Sequence, residues 1–225
     1  MVEANAKTLR PLVKAAVKTA LGSRGWEPIR SGRFAAKPEI VQPPLRALLD
    51  PDIVGDAYGG LRIGLSITLT DPIAEQEAST YGLDALPADP YLELGEWALA
   101  YTSAPMPDPT NRSYRHWLIV DTDDVQSTVD EWASVIDGPM HEWLILRNSE
   151  DQLLDTVAAA PDRIRRHPFA TRLIALIALR TDRVDLARLL IAQYERGMDD
   201  TPDRIAEFER QLAAHHPEYG PLQRT

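Results

Sequence analysis

Five histidines, 34 Asp and Glu residues and no cysteine define the chemical repertoire of this 225-residue chain. Without cysteine there is no disulfide, no thiolate metal site and no thiol nucleophile. The densest group of side chains able to do chemistry is Asp121-Thr122-Asp123-Asp124-Val125, directly after the apolar run Trp117–Val120. Two uses are open to these carboxylates. They can carry out acid chemistry, or Thr122 or Asp123 can cap a helix beginning near Val125. The histidines do not form a metal-ligand pattern. His141-Glu142 is followed by Trp143-Leu144-Ile145, not by a second histidine at the metalloprotease spacing. His215-His216 ends a helix, where a cation suits the dipole. Gly55, Gly59, Gly60 and Gly64 lie close together, but Gly60 leads into a strand, whereas a phosphate loop needs a helix N-terminus behind it. Ser66 and Ser113 both lie outside any G-x-S-x-G context. No metal and no cofactor are expected.

Charge points to recognition instead. The net charge is −10, unevenly spread. Residues 1–46 hold 9 Lys/Arg against 3 Asp/Glu, residues 47–160 hold 4 against 21, and residues 161–225 hold 11 against 10. All four lysines lie in the first 37 residues. An acidic protein repels phosphate backbones, so no nucleic acid is expected as partner. It attracts a basic protein and speeds its association. Trp97, Trp117, Trp132 and Trp143 all fall in the acidic middle, and aromatics beside acids are the ingredients of a binding hot spot. The candidate partner-binding residues are therefore Asp121, Asp123, Asp124, Asp130, Glu131 and Glu142, with Trp117 or Trp143 as anchors; Trp132 belongs to the core.

The elements that must position these residues follow from periodicity. Leu9, Leu12, Val13, Ala16, Val17, Ala20 and Leu21 recur at helical spacing over 5–22, with a proper start near Leu9 because Pro11 fits best in a first turn. Trp26–Phe34 reads as a hairpin turning at Arg30-Ser31-Gly32. Residues 37–59 carry Pro38, Pro43, Pro44 and Pro51 and read as loop with one helical turn near Leu45–Leu49. Gly60–Thr70 alternates strictly and reads as one half-buried strand. Residues 71–95 read as acidic loop with a short helix near Ala74–Thr80. Trp97–Ser103 and Tyr114–Val120 read as strands around a loop set by Pro105, Pro107 and Pro109. A helix carrying Val125, Val129, Trp132 and Ile136 ends at Gly138-Pro139, and Met140–Leu146 fits either a strand or a short helix. Ser149 caps a helix over 150–159, and three helices follow over 169–180, 183–196 and 202–215. The fold class is α+β: a small, mainly antiparallel sheet with flanking helices over 1–160, then a helical bundle over 161–225. No run approaches the length of a membrane span and no secretory signal opens the chain, so a soluble cytoplasmic protein is expected.

Three resemblances accompany this reading. Leu9–Leu21, Gly25-Trp26, Arg33-Phe34 and Leu61-Arg62-Ile63-Gly64-Leu65 resemble the start of the bacterial family of domains of unknown function numbered 4304, with Trp26 in place of Phe and a Pro-rich insert at 37–59. That resemblance implies an α+β fold and no assigned activity. Small acidic bacterial proteins of this look often serve as immunity or partner-binding proteins. Residues 175–190 resemble one tetratricopeptide-like hairpin, and a single pair implies a packed bundle, not an array. A strand followed by Asp121-Thr122-Asp123 resembles the first motif of haloacid-dehalogenase phosphatases. It implies Asp121 as nucleophile, Asp123 as general acid and a magnesium ion between carboxylate and phosphate. Gln126 stands where that motif is apolar, no lysine follows Lys37, and the downstream acid pair Asp199-Asp200 falls in a helix–helix turn. The first functional expectation is a non-enzymatic binding protein, an immunity protein neutralising a basic toxin in its sharpest form. The alternatives are a metal-dependent phosphoesterase using Asp121 and Asp123, or a scaffold subunit binding through its helical tail.

Overall fold

The computed structural model describes residues 6–56, 59–81, 100–102, 117–159, 168–197 and 202–220. Expectations for 82–99, for Ser103 through His116 with its three prolines, for His167 and for Asp199-Asp200 lie outside the described residues. Two compact units result, one drawn from 1–69 and 100–148, the other from 70–81 and 149–220. The units divide at 148/149, and the second also draws on residues 70–81.

In the first unit, helix α1 (Ala6–Gly22) buries Leu9, Val13, Val17, Ala20 and Leu21. It begins a turn earlier than Leu9 and takes Pro11 inside. The missing Pro11 N–H leaves the Lys7 carbonyl without its intrahelical donor, and Pro11 and Lys7 are both exposed, so water can serve that carbonyl. Strands β1 (Trp26–Pro28) and β2 (Phe34–Ala36) form the expected hairpin, with Trp26 opposite Ala36. The turn between them passes through Gly32 at φ 81, in the left-handed region.

Two expectations fail here, one in the period of the chain and one in the continuity of a strand. Leu45–Leu49 is not a helical turn: Arg46–Asp50 is strand β3 and Ile53–Gly55 is strand β4. Leu45, Ala47 and Leu49 are buried while Arg46 and Leu48 are not, a period of two. Pro43, Pro44 and Pro51 lie just outside the strand, where they remove no ladder bond. Gly60–Thr70 is two strands, β5 (Leu61–Ile63) and β6 (Ser66–Thr70), and they belong to different sheets. The alternation survives the break, since Leu61, Ile63, Leu65, Ile67 and Leu69 are all buried. The break sits at Gly64. Its N–H donates to the Asp52 carbonyl at 2.7 Å and its own carbonyl accepts the Trp132 indole N–H at 3.1 Å.

With β7 (Ala100–Thr102) and β8 (Trp117–Ile119), the sheet orders are β1-β2-β3-β6-β7 and β4-β5-β8. The pairs β1–β2, β2–β3, β4–β5, β5–β8 and β6–β7 are antiparallel. Helix α3 (Val125–Asp137) packs on α1 and β8 through a face that includes the fully buried Trp132. Arg24 clasps Asp137 with two bonds of 2.8 and 2.7 Å. Gly138 ends α3, and Pro139–Ile145 is helix α4, which settles the ambiguous 140–146 segment as helix.

The second unit holds α2 (Pro72–Thr80), α5 (Glu150–Ala159), α6 (Pro168–Arg180), α7 (Val184–Gly197) and α8 (Pro202–His215). Its hub is Arg180. Asp71, 1% exposed, caps α2 by accepting the Ile73 and Ala74 N–H groups at 2.9 and 3.1 Å. Its second oxygen pairs with Arg180, which also pairs with Glu150. Ser149 accepts the Gln152 N–H at 3.3 Å, the cap expected for α5. The α6–α7 turn is a Schellman closure. The Arg183 N–H reaches the Ala178 carbonyl at 2.7 Å and the Asp182 N–H reaches Leu179 at 3.1 Å, with Asp182 left-handed at φ 61.

Two stability outcomes follow. Arg180→Met leaves the Asp71 and Glu150 carboxylates without their cation and lowers the unfolding free energy by about 3 kcal/mol. Asp182→Gly relieves the left-handed strain and raises it by roughly 1 kcal/mol. Urea unfolding of each variant beside the parent chain checks both signs.

Candidate functional site

The acidic segment is built where β8 runs into α3. Asp121 is half-buried, and its Oδ1 accepts the Thr122 hydroxyl at 3.2 Å and the Asp123 N–H at 3.3 Å. This carboxylate therefore shapes the strand-to-helix turn. Neither Thr122 nor Asp123 caps α3 with its side chain. The N-cap position is Asp124, at φ −85 and ψ −12, and its side chain makes no capping bond. The reason is conformational: a cap needs extended backbone to swing its oxygen over the first turn, and Asp124 is already helical. The Asp123 and Asp124 carboxylates thus stand exposed.

The remaining acids are also on the surface. Asp130 is exposed and accepts the Gln126 amide N–H at 2.9 Å. The Arg24 guanidinium holds its proton more tightly than usual because of its hydrogen bonds to Asp137. Partial burial opposes this, and the charges of Asp137 and Asp130 add to it. Glu131 and Glu142 are exposed. The two proposed anchors are not. Trp117 and Trp143 are 7% and 4% exposed, and both belong to the core. Trp117 lies opposite Ile63 in the ladder, and Trp143 is covered by the Arg147 guanidinium at 4.7 Å from its ring centroid.

What stands out instead is aliphatic. Leu118 and Val120 are 45% and 49% exposed, because β8 turns Trp117 and Ile119 inward and alternate residues face the other way. The period-two pattern of Trp117–Val120 carries this signal, although aromatic content points to the tryptophan instead. The cations contrast with the acids. Arg24, Arg33, Arg62, Arg180 and Arg183 are all ion-paired, whereas Lys7, Lys14 and Lys18 stand exposed along α1. Among the described residues no group of three His, Asp or Glu is placed to hold a metal ion, and no helix is long and apolar enough to cross a membrane.

The second unit carries a polar chain that spacing could not reveal, because its members lie 135 residues apart. The Tyr81 hydroxyl is 3.1 Å from His216 Nε2, and His216 Nδ1 is 3.1 Å from the Glu218 carboxylate. With Nδ1 protonated towards Glu218, Nε2 accepts the phenolic O–H. The Tyr81 ring also stacks on His215, centroids 5.0 Å apart. Burial raises the Tyr81 pKa above its ordinary 10.0, and the charges of Glu77 and Glu218 push the same way. The folded state then binds this proton more tightly than the unfolded chain. The resulting stability is fully present below 10.0 and is lost as pH rises through the folded pKa. Tyr81→Phe removes that alkaline loss, so denaturation of parent and variant across the alkaline range gives a difference that shrinks as pH rises. Comparison with known proteins finds no matching family model, no matching curated protein and no matching solved structure.

Proposed function

We propose that this chain is a non-enzymatic binding protein acting in the cytoplasm. It docks a basic protein through the acidic 121–131 segment, and neutralisation of a basic bacterial toxin in the manner of an immunity protein is the sharpest form of this role. The observation that carries the reading is that the Asp123 and Asp124 carboxylates are exposed and make no capping bond, beside the exposed aliphatic Leu118 and Val120. An exposed acid pair beside exposed aliphatic residues is the composition of an interface edge. The acids attract a partner over a Debye length, and the aliphatic surface holds it once water is expelled. Asp130 and Glu131 extend the negative charge along α3, and Glu142 adds to it on α4. Asp121 supports the reading from below, since its bonds to Thr122 and Asp123 hold the turn that presents the acids. Trp117 and Trp143 have no part in contact with the partner.

The test is recovery of a basic partner from the native lysate at low salt, followed by kinetics on the purified pair. Asp123→Asn with Asp124→Asn lowers the association rate by about tenfold and flattens its salt dependence, while the melting temperature falls by only a few degrees, the loss of two carboxylates that the α3 N-terminus favours. Association that is equally fast in the double variant and indifferent to salt overturns the electrostatic docking. For the immunity form, co-expression must relieve the toxicity of the recovered partner.

A further inference from the structure

Resting on that reading, we infer that the partner docks as a basic amphipathic helix laid across the outer face of the β4-β5-β8 sheet. The ladder sets Val54 opposite Arg62 and Arg62 opposite Leu118, so these three form one row across the three strands. Their neighbours in sequence, Leu61, Ile63 and Ile119, are buried, so the row is the outward one. An antiparallel sheet with one face in water is polar on that face. This one carries aliphatic residues around Arg62: Val54 is 43% exposed, Leu118 45% and Val120 49%. Arg62 in the centre is paired with Asp56, so the row carries no net charge of its own.

Gly60 shapes the same face. A Cβ at Gly60 would fall 2.6 Å from the Ile119 carbonyl oxygen and 3.1 Å from Val120 Cγ1, so the bare backbone lets Val120 lie low over the sheet. The dimensions fit one helix. Three strands spaced roughly 4.8 Å apart span about 10 Å, the diameter of a single helix with its side chains. The charge fits a basic one. β8 leaves this face directly into Asp121, Asp123 and Asp124, so a helix whose apolar stripe covers Val54, Leu118 and Val120 brings flanking Lys or Arg side chains to those acids. Burial of the aliphatic row supplies residence time, and the acids supply approach and polarity.

The probe is a synthetic peptide of about 18 residues with Leu at helical spacing on one face and Lys on its flanks, beside a scrambled peptide of the same composition. The patterned peptide is expected to bind the full chain with amide shifts concentrated at 53–55, 60–63 and 117–120. Leu118→Ser with Val120→Ser weakens it about tenfold, and Val54→Ser weakens it in the same direction. The changed positions are exposed, and melting curves verify that each variant folds. If the Ser variants bind as the parent does while Asp123→Asn with Asp124→Asn weakens binding, this placement is wrong and the acidic docking stands. If neither set weakens binding, both readings fail. Equal binding of the scrambled peptide, or no binding of the patterned one, overturns the helix. Self-association of the chain that the Ser variants abolish assigns the face to a second copy and overturns it too.

Discussion

The arrangement of the first unit turns on the backbone of Gly64. Its N–H donates to the Asp52 carbonyl as the last bond of the β4–β5 register, while its carbonyl is taken by the Trp132 indole and does not continue the pairing. The chain therefore leaves one sheet at Ile63 and enters another at Ser66 without losing its inside–outside alternation. Had the ladder run through, 61–70 would be one strand in one sheet. Because it does not, β5 is released to pair with β8, and β8 is what carries Leu118, Val120 and the acidic turn. Trp132 ties this switch to α3, the helix that follows that turn. A single buried indole thus connects the strand break to the element that presents the charge.

The second unit solves a different problem, how to bury carboxylates. Asp71 divides its oxygens between the α2 cap and Arg180, and Arg180 reaches Glu150 at the start of α5. Three helices, α2, α5 and α6, meet at one guanidinium. The planar fork of arginine suits this, because it offers several donors in fixed directions where a lysine offers a point charge. Arg183, one turn on, reaches Asp151 and Asp155 of α5, so the α6–α7 turn is tied to α5 at more than one point.

Much of this was legible in the sequence, and the misses have identifiable physics. The α+β class, the 26–36 hairpin, the Ser149 cap and the three late helices follow from local period and punctuation. The strand at Arg46–Asp50 was hidden because prolines on both sides suggest loop, although Leu45, Ala47 and Leu49 already alternate. The break at Gly64 was invisible because alternation continues through it and its cause, Trp132, lies 68 residues away. In the candidate site the acids were found by composition alone, and their exposure follows from the helical conformation of Asp124, which no propensity scale reports. Aromatic residues serve cores and interfaces alike, and tertiary placement decides between them: β8 turns Trp117 inward, and α4 buries Trp143. The Tyr81–His216–Glu218 chain depends on tertiary proximity and leaves no local trace.

The distribution of paired and unpaired acids along α3 carries one more step. Asp137 ends the helix, where the dipole already places partial negative charge, and there Arg24 binds it through two bonds. Asp123 and Asp124 stand at the opposite end, where partial positive charge from the first N–H groups favours a carboxylate without any cation. The fold thus uses its arginine where an acid opposes the helix and leaves acids bare where the helix supports them. Unpaired charge elsewhere would lower the stability of a chain with a net charge of −10. At the N-terminus of α3 it does not, so the negative field is directed outward at little cost to folding. That is the condition a docking surface requires, since charge already neutralised by an intramolecular arginine has none left to offer a partner.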